Sequence, residues 1–261
     1  MYDFINTDEV QMSDVLPSET CILDGIAIDV EIPEFTTLTV SGREAKGRSL
    51  NTADIAGRDG SLFMSSQLES RVLTVLYKVE ATSNQHFRDV FNRLNVLLHK
   101  KQHQISFMDE LDYFYIGTLE TVDDVPAGTN TIVSSLSFFC SDPYKYGKLI
   151  TLVSDNDILP SIDTKYLTLP TELIVVPSVD TATITIRTSE KEIKLVEGSF
   201  LANEPVSILY GNEITVTSAN GNDTNKIALH SDLENFYIQK DVPVSLVEQG
   251  QLTIKLREVL L

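Results

Sequence analysis

Arg71-Val72-Leu73-Thr74-Val75-Leu76-Tyr77-Lys78-Val79 is rich in strand-forming residues and reads as a β-strand. Working outward, Ile22-Leu23-Asp24-Gly25-Ile26-Ala27-Ile28-Asp29-Val30-Glu31-Ile32 alternates apolar and polar residues and reads as a second strand. Residues 104–107, 113–122 and 131–140 read likewise, the last two joined through Asp123-Asp124-Val125-Pro126-Ala127-Gly128. One segment breaks the pattern. Phe87, Val90, Phe91, Leu94, Leu97 and Leu98 fall on one face at helical spacing, with Ser83 or Asn84 as N-cap. That helix ends in His99-Lys100-Lys101-Gln102-His103, positive charge at the negative end of its dipole, and this reads as a solvated helix end.

Asp142-Pro143-Tyr144-Lys145-Tyr146-Gly147 interrupts the strands with turn residues, and no strong helical period returns beyond it. A domain boundary is expected there, between residues 1–145 and 146–261. The second half carries short strand signals at regular spacing, at 172–176, 181–187, 192–195, 206–210, 213–217, 226–229, 235–238 and 251–257. Gly211-Asn212 reads as a two-residue hairpin loop, and Asn220-Gly221-Asn222-Asp223 offers positive-φ positions. The expected class is mainly β, with one helix in the N-terminal domain and an antiparallel β-sandwich in the C-terminal one.

The charge balance narrows function. Twenty Lys and Arg against 38 Asp and Glu give a net charge of −18, which repels phosphate backbones and argues against nucleic-acid binding through a basic patch. Two cysteines, Cys21 and Cys140, are too few for a disulfide framework and suit a reducing compartment. The acidic start Met1-Tyr2-Asp3-Phe4 is unlike a signal peptide, and no apolar run approaches the roughly 20 residues of a membrane-spanning helix. The expectation is a protein that starts in a cytosol and does not enter a membrane.

The motifs that suggest chemistry fail on context. Gly42-Arg43-Glu44-Ala45-Lys46-Gly47-Arg48-Ser49 follows a candidate strand and nears the phosphate-loop pattern, but Arg48 replaces its lysine and Leu50–Gly57 is too short for the helix that receives the anion. It reads as a flexible basic loop. His99 and His103 have i, i+4 spacing without a third ligand. Asp155-Asn156-Asp157 resembles the start of a calcium loop, but Pro160 and Tyr166 occupy the glycine and glutamate positions. No nucleophile elbow is present, and abundant carboxylates give no acid–base pair any weight. No cofactor, metal or catalytic residue is expected. A sugar-binding sandwich used in host adhesion is the alternative reading; without tryptophan, Tyr210 and Tyr237 are the substitute ring platforms, and packing within a sheet is the simpler account of both.

Several stretches in order carry a resemblance: Gly57-Arg58-Asp59-Gly60-Ser61, Leu73-Thr74-Val75-Leu76-Tyr77, the helix at 87–98, Tyr115-Ile116-Gly117, Ser137-Phe138-Phe139-Cys140-Ser141-Asp142-Pro143-Tyr144, Asn235-Phe236-Tyr237-Ile238 and the ending Leu256-Arg257-Glu258-Val259-Leu260-Leu261. Together they resemble the distal tail proteins of long-tailed, non-contractile bacteriophages. Lys240-Asp241-Val242-Pro243-Val244 lacks the glycine usual in that family, and the chain has no room for an inserted sugar-binding module. The resemblance implies a β-sandwich-like N-terminal domain with one helix that closes into a homo-hexameric ring, and a galectin-like C-terminal sandwich outside it. It implies a structural, non-enzymatic part at the virion tail tip, assembled in the host cytoplasm and joining the tail tube protein to a tip or tail-associated lysin-type protein, with receptor-binding or baseplate proteins as further partners. DNA would pass through without being held. The N-terminal half, with 22 acidic against 11 basic residues up to Gly147, would give the bore a negative wall. Arg58 and Asp59, in a polar glycine-flanked loop, are the candidate inter-subunit contacts.

Overall fold

The computed structural model describes residues 16–125, 128–155, 157–158, 166–211 and 213–261. Strand takes 52% and helix 11%, which makes the chain mainly β. It divides into two compact units, one running to Lys145 and including Leu261, the other Tyr146–Leu260. Among the described residues no helix is long and apolar enough to cross a membrane.

The first unit is a curled antiparallel sheet in the order Phe35–Ser41, Arg71–Glu80, Thr131–Cys140, Glu110–Val122, His103–Phe107, Cys21–Leu23, Ile26–Ala27. Its centre is the ten-residue ladder from Arg71 opposite Cys140 to Glu80 opposite Thr131. Leu73, Val75, Tyr77 and Val79 alternate inward from Arg71–Glu80 to meet Ile132, Leu136 and Phe138, so a one-residue slip would expose the whole set. Phe35 stacks on Tyr77 with ring centroids 4.7 Å apart. The helix Asn84–Leu98 seats Val90, Leu94 and Leu98 on this core, and the Ser83 hydroxyl caps it by accepting from the His86 amide at 3.2 Å.

Two expectations change here. Residues 22–32 are not one strand. Asp24 and Gly25 both take positive φ and fold the chain back on itself, and Ile28–Glu31 is a helical turn. The Asp29 carboxylate is buried, accepting from the Thr37 amide and hydroxyl at 2.7 Å each, while Val40 donates its amide to Glu19 Oε2 at 3.0 Å. Alternation therefore marked burial, and side chains rather than a ladder close the edge strand Phe35–Ser41. The basic run after the helix is also not fully solvated. His103 begins a strand, is buried, and lies 2.9 Å from Asp24 Oδ2, while Lys100 reaches Asp24 Oδ1 at 2.6 Å.

The second unit packs two sheets face to face. One runs Gly221–Asn222, Ile214–Ser218, Val206–Tyr210, Glu172–Pro177, Gly250–Leu260, Lys145–Asp155; the other runs Asp157–Ile158, Val244–Leu246, Ile184–Arg187, Glu192–Leu195. Leu173, Ile208 and Ile254 of the first share a core with Ile186, Ile193 and Val244 of the second, which is a sandwich. Three sequence readings fail in detail. Residues 226–229 and 235–238 are not strands; 3-10 turns at Thr224–Lys226 and Leu233–Asn235 deliver Phe236 and Ile238 to the core, with single bridges at Ile227 and Ile238. Tyr210 pairs with Ile214, so the 206–218 hairpin loop has three positions, of which Asn212 lies outside the described residues. Lys145–Asp155, read as a turn at its start, is an eleven-residue strand.

Candidate assembly surface

The strand Phe35–Ser41 ends where the chain peels off the sheet. Gly42 has φ +91°, and a Cβ there would lie 2.0 Å from the Val72 carbonyl oxygen, so only glycine fits the departure. Beside it, Arg71 is 1% exposed. Its Nη1 donates to the Gly42 and Glu44 carbonyls at 2.5 and 3.1 Å, and its Nε donates to the Pro143 carbonyl at 2.9 Å. One guanidinium thus ties the departing chain to the end of the unit. Arg43 lies over the Phe107 ring at 4.6 Å and bonds Asp109 at 2.9 Å. Burial opposes the Arg43 charge, but Asp109 and then Glu110 outweigh it and raise its pKa.

Beyond this root stands a hairpin, Arg48–Asp54 paired with Ser61–Leu68, which forms a sheet of its own. A bulge opposite Asn51 and Thr52 inserts Met64. Nearly every residue is exposed, including Leu50 at 62%, Phe63 at 60% and Met64 at 58%. The pairing places Leu50 beside Ser66, Thr52 beside Phe63 and Arg48 beside Leu68, so Leu50, Phe63 and Leu68 share one face. Isolated two-stranded hairpins are marginal in water, and among the described residues this one leaves its apolar face exposed and both edges unpaired.

Arg58 and Asp59 sit at its tip, both exposed, between Gly57 at φ +80° and Gly60 at φ +77°. The Ser61 hydroxyl donates to Asp54 Oδ1 at 2.8 Å and closes the tip below them. Leu50, Phe63 and Met64 were missed from sequence. The only signal was the unbroken apolar run Leu62-Phe63-Met64 in a segment without a core period. The supposed flexible basic loop ends at Gly47 and gives way to the strand Arg48–Asp54, so no helix N-terminus receives an anion there.

The remaining candidates separate. His99 caps the helix C-terminus while His103 belongs to a buried strand, and among the described residues no metal-holding cluster forms. Asn156 and Pro160 of the calcium-loop reading lie outside the described residues. Cys21 and Cys140 are free and buried; burial, with Asp29 nearby, pushes the Cys21 thiol up, and burial pushes Cys140 up to about 11. Tyr210 packs against the second core, where burial raises its phenol pKa.

Comparison with known proteins agrees with this architecture. Residues 31–140 match the family model of the phage tail protein RIFT-related domain. The distal tail protein of Bacillus phage SPP1 is 32% identical over 121 residues, which is 45% of this chain and 47% of that protein, so the match spans about half the length of that relative. The crystal structure of the SPP1 distal tail protein, a hub of the adsorption apparatus in phages infecting Gram-positive bacteria, has a TM-score of 0.75 at 23% identity, covering 93% of this chain and 99% of that one. The phage p2 baseplate in its calcium-activated conformation contains a chain with a TM-score of 0.54 at 11% identity, covering 85% and 90%. Residues 31–140 are therefore similar to the phage tail protein RIFT-related domain, and the chain as a whole shares the fold of the SPP1 distal tail protein.

Proposed function

We propose that this protein is a structural hub of a non-contractile phage tail tip, with residues 1–145 closing into a homo-hexameric ring and residues 146–261 forming an outer galectin-like sandwich. The observation that carries this reading is the arm, an apolar-faced hairpin anchored rigidly at Gly42 and Arg71 and left exposed by the described residues of its own chain. A head-to-tail contact made by such an arm is heterologous, and a heterologous contact whose rotation closes generates a ring. Arg58 and Asp59 at its tip are then contacts with the next subunit. The ring would join the tail tube protein on one side to a tip or tail-associated lysin-type protein on the other, and receptor-binding or baseplate proteins would dock around it.

The net charge of −18 fits a conduit. A bore lined by Lys and Arg would hold the passing genome through phosphate contacts, whereas a net-negative wall lets DNA through unbound. Electron microscopy of the purified protein, alone and with the tail tube protein, tests the reading. Six-fold rings with an open, acidic bore are expected; monomers under both conditions, or a basic bore, would overturn it.

A further inference from the structure

We propose that Asn220 is a modification site, at which the side-chain amide is lost by attack of the Gly221 backbone nitrogen and the tip of one hairpin is released. Of all the asparagines in the chain, only Asn220 is followed by glycine. The following residue governs this chemistry because its backbone nitrogen is the attacking atom, and any Cβ beside that nitrogen hinders the approach. Asn220 and Gly221 are both exposed, and Gly221, at φ +104°, has open space where a Cβ would stand. They lie at the turn between Ile214–Ser218 and Gly221–Asn222, with Ser218 opposite Gly221 and Thr217 opposite Asn222. That turn closes the edge of the first sheet of the second unit, away from the arm and the residues that anchor it.

The reaction needs only water. The Gly221 nitrogen gives up its proton and bonds to the Asn220 Cγ; the bond from Cγ to Nδ2 breaks, and that nitrogen leaves as ammonia, taking up the proton. Water then opens the five-membered imide. Cleavage at Cγ gives aspartate, and cleavage at the backbone carbonyl gives isoaspartate, whose main chain runs through Cγ and is one methylene longer. The surroundings make the change consequential. Asn220 Nδ2, the atom that leaves, donates to the Ser199 carbonyl at 2.7 Å. A carboxylate has no proton to put there, so two acceptors face each other and the tie is lost. Ser199 adjoins the buried Phe200, which Thr181 holds by backbone bonds of 2.9 and 3.0 Å, so the tie joins the hairpin tip to a fixed segment. The Ser218 hydroxyl accepts from the Asn220 amide at 3.1 Å and donates to the Asp223 carboxylate, so the new negative charge arrives beside an existing one. The extra methylene of isoaspartate also shifts Gly221 and Asn222 out of register with Ser218 and Thr217.

Ageing the full chain at mildly alkaline pH tests this, beside the same chain unfolded in guanidinium chloride. In the folded protein an acidic species should build up, one charge more negative, with a gain of one mass unit confined to the peptide that holds residues 220 and 221. Peptide mapping should find both aspartate and isoaspartate at that position. Asn220→Gln keeps an amide donor but would have to close a six-membered ring, so it should stay unconverted over the same period. Absence of the gain in the folded chain by the time the unfolded chain has fully converted overturns the site. So does an equal gain in Asn220→Gln. The converted protein, separated by its charge, is then compared with the parent by amide exchange. Exchange should rise at residues 199–200 and 217–224 and stay unchanged at Glu172–Pro177. Identical exchange in the two proteins overturns the release of the hairpin tip.

Discussion

Replacing Arg71 by methionine should loosen the root of the arm while leaving the sheet beneath it folded. The aliphatic part of the side chain is kept, and three hydrogen bonds from a buried cation to the Gly42, Glu44 and Pro143 carbonyls are lost. Bonds from a charged donor contribute about 1.5–3 kcal/mol each, and carbonyls left buried without a partner add their own desolvation cost. Two things act the other way. The guanidinium no longer has to be taken out of water, and its Nη2, which has no partner among the described residues, disappears. The net loss is about 2–5 kcal/mol, comparable to breaking a buried charged contact from one side. For a chain of this size 3 kcal/mol lowers Tm by roughly 6–12 °C. Calorimetry gives that shift, and amide exchange locates it. Exchange should rise at residues 42–47 and 143–145, while Leu73–Val79, deep in the ladder, keeps its protection. A Tm within about 2 °C of the parent, or uniform loss of protection across the sheet, would refute the idea that Arg71 acts as a local clamp.

Gly42→Ala places a methyl 2.0 Å from the Val72 carbonyl oxygen at a left-handed φ, so at least about 3 kcal/mol is lost and the yield of soluble protein falls. Leu50→Ser with Phe63→Ser should leave the Tm of the monomer within a degree or two, because both side chains already face water. Each loses about 60% of a 1.5–3 kcal/mol burial at an interface, so the pair weakens association by roughly 20- to 400-fold per contact, read by light scattering against concentration. Acid stability divides two carboxylates by sign. Burial works against the Asp24 charge, but Lys100, the Gln104 amide and His103 outweigh it and lower its pKa. Its contribution is therefore full above about pH 5 and disappears as pH falls through the folded value, so Asp24→Asn lowers the urea midpoint at pH 7 and not at pH 2. Burial raises the pKa of Asp29 despite the Thr37 bonds, so its penalty grows as pH rises from about 4 towards the folded value. Asp29→Asn should then keep or raise the urea midpoint at pH 7, and a clear drop would show that the ionised form is favoured in the fold.

What could be read from the sequence divides along burial. Thr131–Cys140 and the centre of Arg71–Glu80 were legible because each strand buries alternate residues in its own core, which is the quantity a period of two reports. The helix was legible because Val90, Leu94 and Leu98 meet that same core. Residues 22–32 and 235–238 misled for the converse reason. Ile28, Ile32, Phe236 and Ile238 are fully buried, but short turns deliver them, and a ladder does not. The arm was illegible because, among the described residues, none of its side chains is fully buried. No core selects an alternation there, so Leu62-Phe63-Met64 sits beside Ser65-Ser66 without a period, and only the polar tip at Arg58 and Asp59 stood out.

A hairpin that gains nothing from its own core must get its shape from elsewhere, and the residues around it divide that task. Ser61 on Asp54 and the two left-handed glycines fix the tip. Gly42, Arg43 and Arg71 fix the root against Val72, Phe107 and Pro143. Between them lie two short strands, a bulge and a row of exposed apolar side chains with no contact to spare. Holding both ends removes much of the conformational freedom that a free loop would lose on binding, so in the assembly proposed above more of the interaction with a neighbour would appear as net affinity. The same arrangement explains why the anchor is a buried arginine. Three backbone carbonyls from two separate segments need donors, and a guanidinium supplies fixed donors in one plane where an apolar side chain would supply none. The buried polar cluster at the root and the exposed apolar face of the arm are thus two halves of one device, the first giving the second its aim.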